Sequence, residues 1–269
     1  MSTTQDYLPS DQWPSLNVLD GNGFNDFDLP VTDALEGQSF AIAFDGAGQL
    51  ELAVGPDGRV EWTRTTADGT EERGTDQARI AENGAGIFLL TWIRGGASER
   101  ADVVVLDTNA GLATVLHSVV EGEASQSTPV TGDILHGRIE GADGSAALHA
   151  RSADLVGKRV LYVYGPDNAY EHVYLHEGAY AWQCLAGAEK GLADVDWSRA
   201  IRITDDVFFF VWREKVVPCE GAVLINLAEH RSTGRIYGWD TEAREYNAVQ
   251  MGARSKVLSE THPDPADWA

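Results

Sequence analysis

Apolar residues along this chain come in short runs that alternate with polar ones, and clusters of Gly, Asp and Asn cut the runs apart. Residues 49–54 show the pattern: Leu50, Leu52 and Val54 fall on one side of a period-two ladder and Gln49, Glu51 and Ala53 on the other. Period two is the spacing of side chains on a strand, not on a helix. In the second half the same reading predicts strands near 159–164, 170–176, 179–185, 200–204, 207–215, 221–228 and 234–240. Turns such as Gly165-Pro166-Asp167-Asn168 and Glu177-Gly178-Ala179 lie between them. Consecutive short strands with tight turns make an antiparallel meander, and a meander removes its exposed edges by closing into a barrel. About eight strands leave room for one small ligand.

The pattern occurs twice. Shifted by 120 positions, residues 35–103 lie over 155–223 without a gap. Leu35 falls on Leu155, Gly37 on Gly157, Trp62 on Trp182, Asp76 on Asp196, Arg79 on Arg199, Phe88 on Phe208, Trp92 on Trp212 and Val103 on Val223. Two tryptophans repeating at one offset point to duplication. The predicted fold is therefore all-β, with two tandem antiparallel β-barrels. Residues 1–120 form an N-terminal barrel with an N-terminal arm. Residues 121–150 form a linker and the first strand of the second barrel, and residues 151–269 form the C-terminal barrel.

The 269 residues carry 42 acidic and 20 basic side chains, a formal net charge of −22. A field of that sign repels phosphate backbones and anionic headgroups, so neither nucleic acid nor membrane is expected as a partner. Residues 1–15 are polar and lack a basic-then-apolar leader pattern, which predicts a cytoplasmic protein. Cys184 and Cys219 are then expected to be reduced. The partners left are a small-molecule ligand or substrate and a second copy in a homodimer.

The repeats differ in chemistry. Leu50, Leu52 and Val54 map onto Tyr170, His172 and Tyr174, so a face that is apolar filling in the first repeat is aromatic and protonatable in the second. Across the Glu177-Gly178-Ala179 turn, a tight register places His176 opposite Tyr180, Tyr174 opposite Trp182, and His172 opposite Cys184. Barrel one should be filled by its own side chains and barrel two should hold an open pocket. Glu214 shares a face with Phe208, Phe210 and Trp212, whereas Arg213 and Lys215 share the other; Arg213 is a candidate anchor for an anionic group. Asn226 stands where Leu106 stands in the first repeat and is a candidate ligand contact. His172, Glu171, Glu214 and Arg213 are the candidate catalytic residues. Tyr174, His176, Tyr180, Trp182, Cys184 and Asn226 are the candidate substrate contacts. His172 and His176 are too far apart along a strand for an easy shared metal, and no phosphate loop or dinucleotide fingerprint is present, so neither metal nor cofactor is expected.

Three stretches resemble the MoaF family: YEHVYLHEGAYAWQCLAGAEKGLADVD (170–196), WREKVVPCEGAVLINLAEHRSTGRIYGWD (212–240) and, more loosely, LEGQSFAIAFDGAGQLEL (35–52). The resemblance implies two lipocalin-like (calycin) domains and a link to molybdenum cofactor or monoamine operons. The first domain is also similar in build to phenolic acid decarboxylases, but it lacks their tyrosine and glutamate lining. The expected function is a cofactor-independent enzyme that moves protons on a small aromatic or unsaturated molecule, of lyase, hydratase, isomerase or cyclase type. The alternative is a non-catalytic small-molecule-binding or accessory protein of a MoaF-type operon.

Overall fold

The computed structural model describes residues 9–121, 130–262, 264 and 266. The first sheet contains β1 (Ser39–Phe44), β2 (Gly48–Val54), β3 (Arg59–Thr65), β4 (Glu71–Gln77), β5 (Arg79–Glu82), β6 (Ile87–Ile93), β7 (Arg100–Asp107), β8 (Leu112–Val120) and β9 (Val130–Ile139). The second contains β10 (Ala150–Arg151), β11 (Lys158–Gly165), β12 (Asn168–His176), β13 (Ala179–Ala186), β14 (Ala193–Arg202), β15 (Val207–Arg213), β16 (Cys219–Asn226), β17 (Arg231–Asp240) and β18 (Glu245–Glu260). Strand order is β4-β3-β2-β1-β9-β8-β7-β6-β5 in the first and β10-β14-β13-β12-β11-β18-β17-β16-β15 in the second, with β14 also pairing to β15. That last pairing closes the second barrel. The first follows the same path with its corner strand broken at Ala78: β4 pairs with β3, and β5 pairs with β6.

The duplication is visible in the hydrogen bonds. Trp62 opposes Leu52 and donates its indole N–H to Asp76 at 2.8 Å; Trp182 opposes His172 and donates to Asp196, also at 2.8 Å. The offset of 120 holds through β6 and β15. Beyond them the alignment of Val103 with Val223 is corrected. Trp92 faces Asp102 while Trp212 faces Gly221, an offset of 119, so Val103 points outward and Val223 inward. The connection after β15 (214–218) is one residue shorter than that after β6 (94–99), and a one-residue change moves every later side chain to the other face.

Two domain assignments change. Residues 130–139 do not open the second barrel; as β9 they pair with β8 and β1 and complete the first. The arm packs mainly on barrel two, and only its end reaches barrel one, where Asp28 pairs with Arg79. Leu16, Leu19 and Phe24 are buried in the core of barrel two, Phe27 N–H donates to the Tyr164 carbonyl at 3.0 Å, and Gly252 N–H donates to the Phe24 carbonyl at 3.0 Å. The arm carries apolar anchors, and the mouth of barrel two offers them an apolar rim and free backbone groups.

β6 (IFLLTWI) and β15 (VFFFVWR) are apolar on both faces because both faces are covered. Ile87, Leu89, Val103 and Val105 outside barrel one pack with their structural equivalents Val207, Phe209, Ala222 and Leu224 outside barrel two. The two barrels thus meet through equivalent surfaces, the arrangement of a two-fold dimer fused into one chain. Among the described residues no helix is long and apolar enough to cross a membrane.

Candidate functional site

The inner face of barrel two is built by alternation. β11 contributes Val160, Tyr162 and Tyr164, β12 contributes Tyr170, His172 and Tyr174, β13 contributes Tyr180, Trp182 and Cys184, and β15 contributes Phe208, Phe210 and Trp212. The register differs from the tight-turn expectation by two residues: Tyr170 opposes Cys184, His172 opposes Trp182, and Tyr174 opposes Tyr180. Parity is kept, so these side chains still share one face. A bulge between Tyr174 and His176 sets the shift, and it also turns His176 out to solvent, where its ring accepts the Gly178 N–H at 3.0 Å.

His172 is 6 % exposed and surrounded by rings, with centroids 4.7 Å away at Tyr162, 4.9 Å at Tyr180 and 6.2 Å at Trp212. Its Nδ1 has no hydrogen-bond partner among the described residues. Burial pushes the imidazole down to about 3, so the ring is neutral at physiological pH. Tyr162 and Tyr174 hydroxyls bond each other at 2.8 Å. A cavity of about 30 Å³ is bounded by His172, Tyr180, Trp212, Glu189 and Glu214, and by Leu19 and Phe24 of the arm. It has room for one or two waters, not for a ligand. The expected open pocket is closed because the arm fills it.

Two carboxyls face this space. Burial, reinforced by the fields of Glu189 and Asp196, pushes Glu214 up to about 8, although the Trp212 indole N–H donates to it at 3.2 Å. Burial also raises Glu189, which accepts the Tyr170 hydroxyl at 2.7 Å. Glu189 was missed in the sequence: it lies in the irregular 187–191 connection, where no periodicity assigns a face. Glu214 carries a pH signature. Above about 4.5 the unfolded chain ionises this group while the folded chain keeps it neutral until about 8. Stability therefore falls as pH rises through that window and levels off above it. Glu214→Gln is expected to shrink the loss of melting temperature between pH 5 and pH 8; an identical loss in the variant would contradict the assignment.

The remaining candidates lie elsewhere. Glu171 is buried on the outer face, held by Arg159 and the Gln183 amide, and cannot share a proton path with His172. Arg213 also points outward, bonded to Glu220 at 2.9 Å with its guanidinium over Trp197 at 4.7 Å, so it cannot anchor an anion in the barrel. Lys215 pairs with Asp194 at 2.8 Å. Asn226 is buried between the barrels, accepting the Glu229 N–H at 3.0 Å and reaching the Asn83 carbonyl at 3.5 Å. Cys184 faces inward with its thiol on the Ala186 carbonyl at 3.3 Å, and burial raises its pKa. Among the described residues no group of three or more His, Cys, Asp or Glu is placed to hold a metal ion.

Barrel one is filled by Leu50, Leu52 and Val54, as its alternation implies, but it is not wholly apolar. Asp102 and His117 face inward from β7 and β8, with His117 Nδ1 2.5 Å from Asp102 and Arg94 bidentate on the same carboxylate at 2.7 and 3.0 Å. The signal for His117 was present, since Ala113 and Val115 mark its face as the buried one.

These features define a tandem β-barrel protein built from two copies of one unit, with an arm that seals the second. A family model described as the MoaF N-terminal domain matches residues 11–121, and one described as the MoaF C-terminal domain matches residues 149–261. The chain belongs to the MoaF family. Over 110 residues it is 44% identical to "Protein MoaF" of Klebsiella aerogenes, an alignment covering 40% of this chain and 41% of that protein, less than half the length of either.

Proposed function

We propose that this chain binds a small aromatic or unsaturated molecule inside barrel two, as a non-catalytic, cytoplasmic binding or accessory protein of a MoaF-type operon with lipocalin-like (calycin) barrels. The observation that carries the reading is His172: a neutral imidazole on the cavity wall, walled by aromatic rings, with Nδ1 unpartnered. A buried polar atom without a partner costs about 1–3 kcal/mol, and a ligand group would recover it. Among the described residues no Lys or Arg lines the cavity, so a bound molecule carries no full negative charge there. Ligand access requires the arm to withdraw Leu19 and Phe24.

The test is Phe24→Ala, titrated with the neutral fluorophore N-phenyl-1-naphthylamine. Truncating a buried Phe costs about 3–5 kcal/mol of stability and vacates a ring-sized volume. The variant is expected to melt lower and to bind the fluorophore at least about tenfold more tightly than the parent. Lower melting without tighter binding would remove the proposed site.

A second reading is favoured by one pair of groups. His172 stays neutral and free to accept a proton, while Glu214 stays protonated near neutral pH in the same cavity. Groups pushed apart in this way serve as base and acid in proton-transfer enzymes. A cofactor-free lyase, hydratase, isomerase or cyclase would use them.

A further inference from the structure

A larger volume than the cavity of barrel two lies between the barrels. A cleft of about 830 Å³ runs between the outer faces of β5 and β6 and those of β17 and β18. Arg235 of β17 lines it and is 1 % exposed. Among the described residues its Nε, Nη1 and Nη2 all lack hydrogen-bond partners. Its guanidinium sits 4.9 Å from the Tyr237 ring centroid. The two acids whose fields reach it are already bonded elsewhere. Glu220 accepts the Ser118 hydroxyl and Arg213, and Asp102 accepts His117 and Arg94.

A buried guanidinium with five unmet donors is costly, and proteins keep such groups where something anionic meets them. Duplication sharpens the point. Thr91, Val103 and Leu116 lie side by side in barrel one, and Val211, Ala222 and Arg235 hold the equivalent places in barrel two. Leu116 is a buried member of the apolar layer between the barrels. The fold thus accepts leucine at this place, and the arginine answers another need. Two further buried polar atoms on the same cleft are unpartnered: Thr91 Oγ1 from barrel one, and Oε1 of Gln250, the cross-strand neighbour of Arg235.

We infer that the inter-barrel cleft binds the carboxylate of a small organic monoanion, with Arg235 as its anchor and the Thr91 hydroxyl as a hydrogen-bond donor. The charge of the ligand follows from the lining. Arg79, the other arginine of the cleft, is held by Asp28 at 2.6 Å and reaches Thr233 at 3.4 Å, which leaves one cation uncommitted among the lining residues. Asp33, Glu36 and Asp57 also line the cleft and disfavour a dianion such as phosphate. Ile93 and Ala248 supply apolar surface for the body of the molecule. The site is separate from the cavity of barrel two, whose lining shares no residue with it.

The experiment is calorimetric titration of the full chain at constant ionic strength with sodium benzoate and sodium hexanoate, and with inorganic phosphate and benzylammonium as controls. The expected result is saturable binding of the carboxylates at or below about 1 mM and none of the controls. Arg235→Leu should weaken carboxylate binding at least about tenfold while melting at or above the parent temperature, as an apolar replacement of an unpartnered buried charge does. Thr91→Val should weaken binding about threefold with the fold intact, and His172→Leu should leave it unchanged. The inference is overturned if neither carboxylate saturates by about 10 mM or if phosphate binds in their place. It is also overturned if Arg235→Leu binds as the parent does, or if it melts several degrees lower, which would make the guanidinium a structural group.

Discussion

His172→Leu should fold normally and lose function. Leu52 occupies the equivalent place in barrel one, opposite Trp62 and 2 % exposed, so the barrel accepts leucine there. The change also removes an unpartnered buried Nδ1. Stability should therefore move by no more than about 1–2 kcal/mol in either direction. The functional loss separates the two proposed activities. A binding protein loses one polar contact worth about 0.5–1.5 kcal/mol, roughly three- to tenfold in affinity. An enzyme that uses the imidazole as acid or base loses about 10²-fold or more in turnover. Thermal melting, fluorophore titration and turnover on phenolic acids and amine-derived aldehydes read all three quantities. A folded, fully functional variant would reduce His172 to core filling and shift attention to Glu214 and Glu189.

The largest expected stability effect belongs to barrel one. Asp102→Ala removes the carboxylate shared by Arg94 and His117, which takes the acid from buried His117 and leaves Arg94 with Glu72 as its remaining carboxylate. Breaking one member of such a buried set costs about 3–5 kcal/mol, which for a chain of this size lowers the melting temperature by about 10 °C. pH gives a second readout. Burial raises the Asp102 pKa, but hydrogen bonds from His117 and Arg94 outweigh it and hold the group below its ordinary value. Its stabilising contribution is thus present above about pH 4 and is lost as pH falls further. The parent should lose this component under acid and the variant should lack it from the start. An Asp102→Ala protein that melts within about a degree of the parent would mean that the cluster contributes nothing net.

Much of the architecture was legible because it depends on local chemistry. Period-two alternation over residues 49–54 and 170–174 marked strands and their inner faces, and Trp62 and Trp182 marked the copies, since rare residues at one offset need no alignment to be seen. The inward set Tyr174, Tyr180, Trp182 and Cys184 came from alternation alone, and a register error of two residues left it intact because two is the period.

The sequence misleads wherever one residue changes parity. The bulge before His176 and the shortened connection after β15 each flip a face, and neither is marked by composition. Arg213 and Glu171 each sit next in sequence to an inward candidate, Glu214 and His172, but adjacent residues on a strand point apart, so neither shares their site. Glu189 had no signal, being in an irregular connection.

The amino-acid sequence by itself therefore determined the strand class, the duplication and the aromatic, protonatable inner face of barrel two, all of which follow from side-chain order along single strands. Only the tertiary structure decided which strand closes which barrel, that the N-terminal arm seals barrel two, and that Asp102 in one barrel, and Arg235 between the two, are buried charges. These are contacts between segments far apart in the chain, as for Phe24 against Tyr170. Their energy comes from burial and desolvation, which no local pattern records.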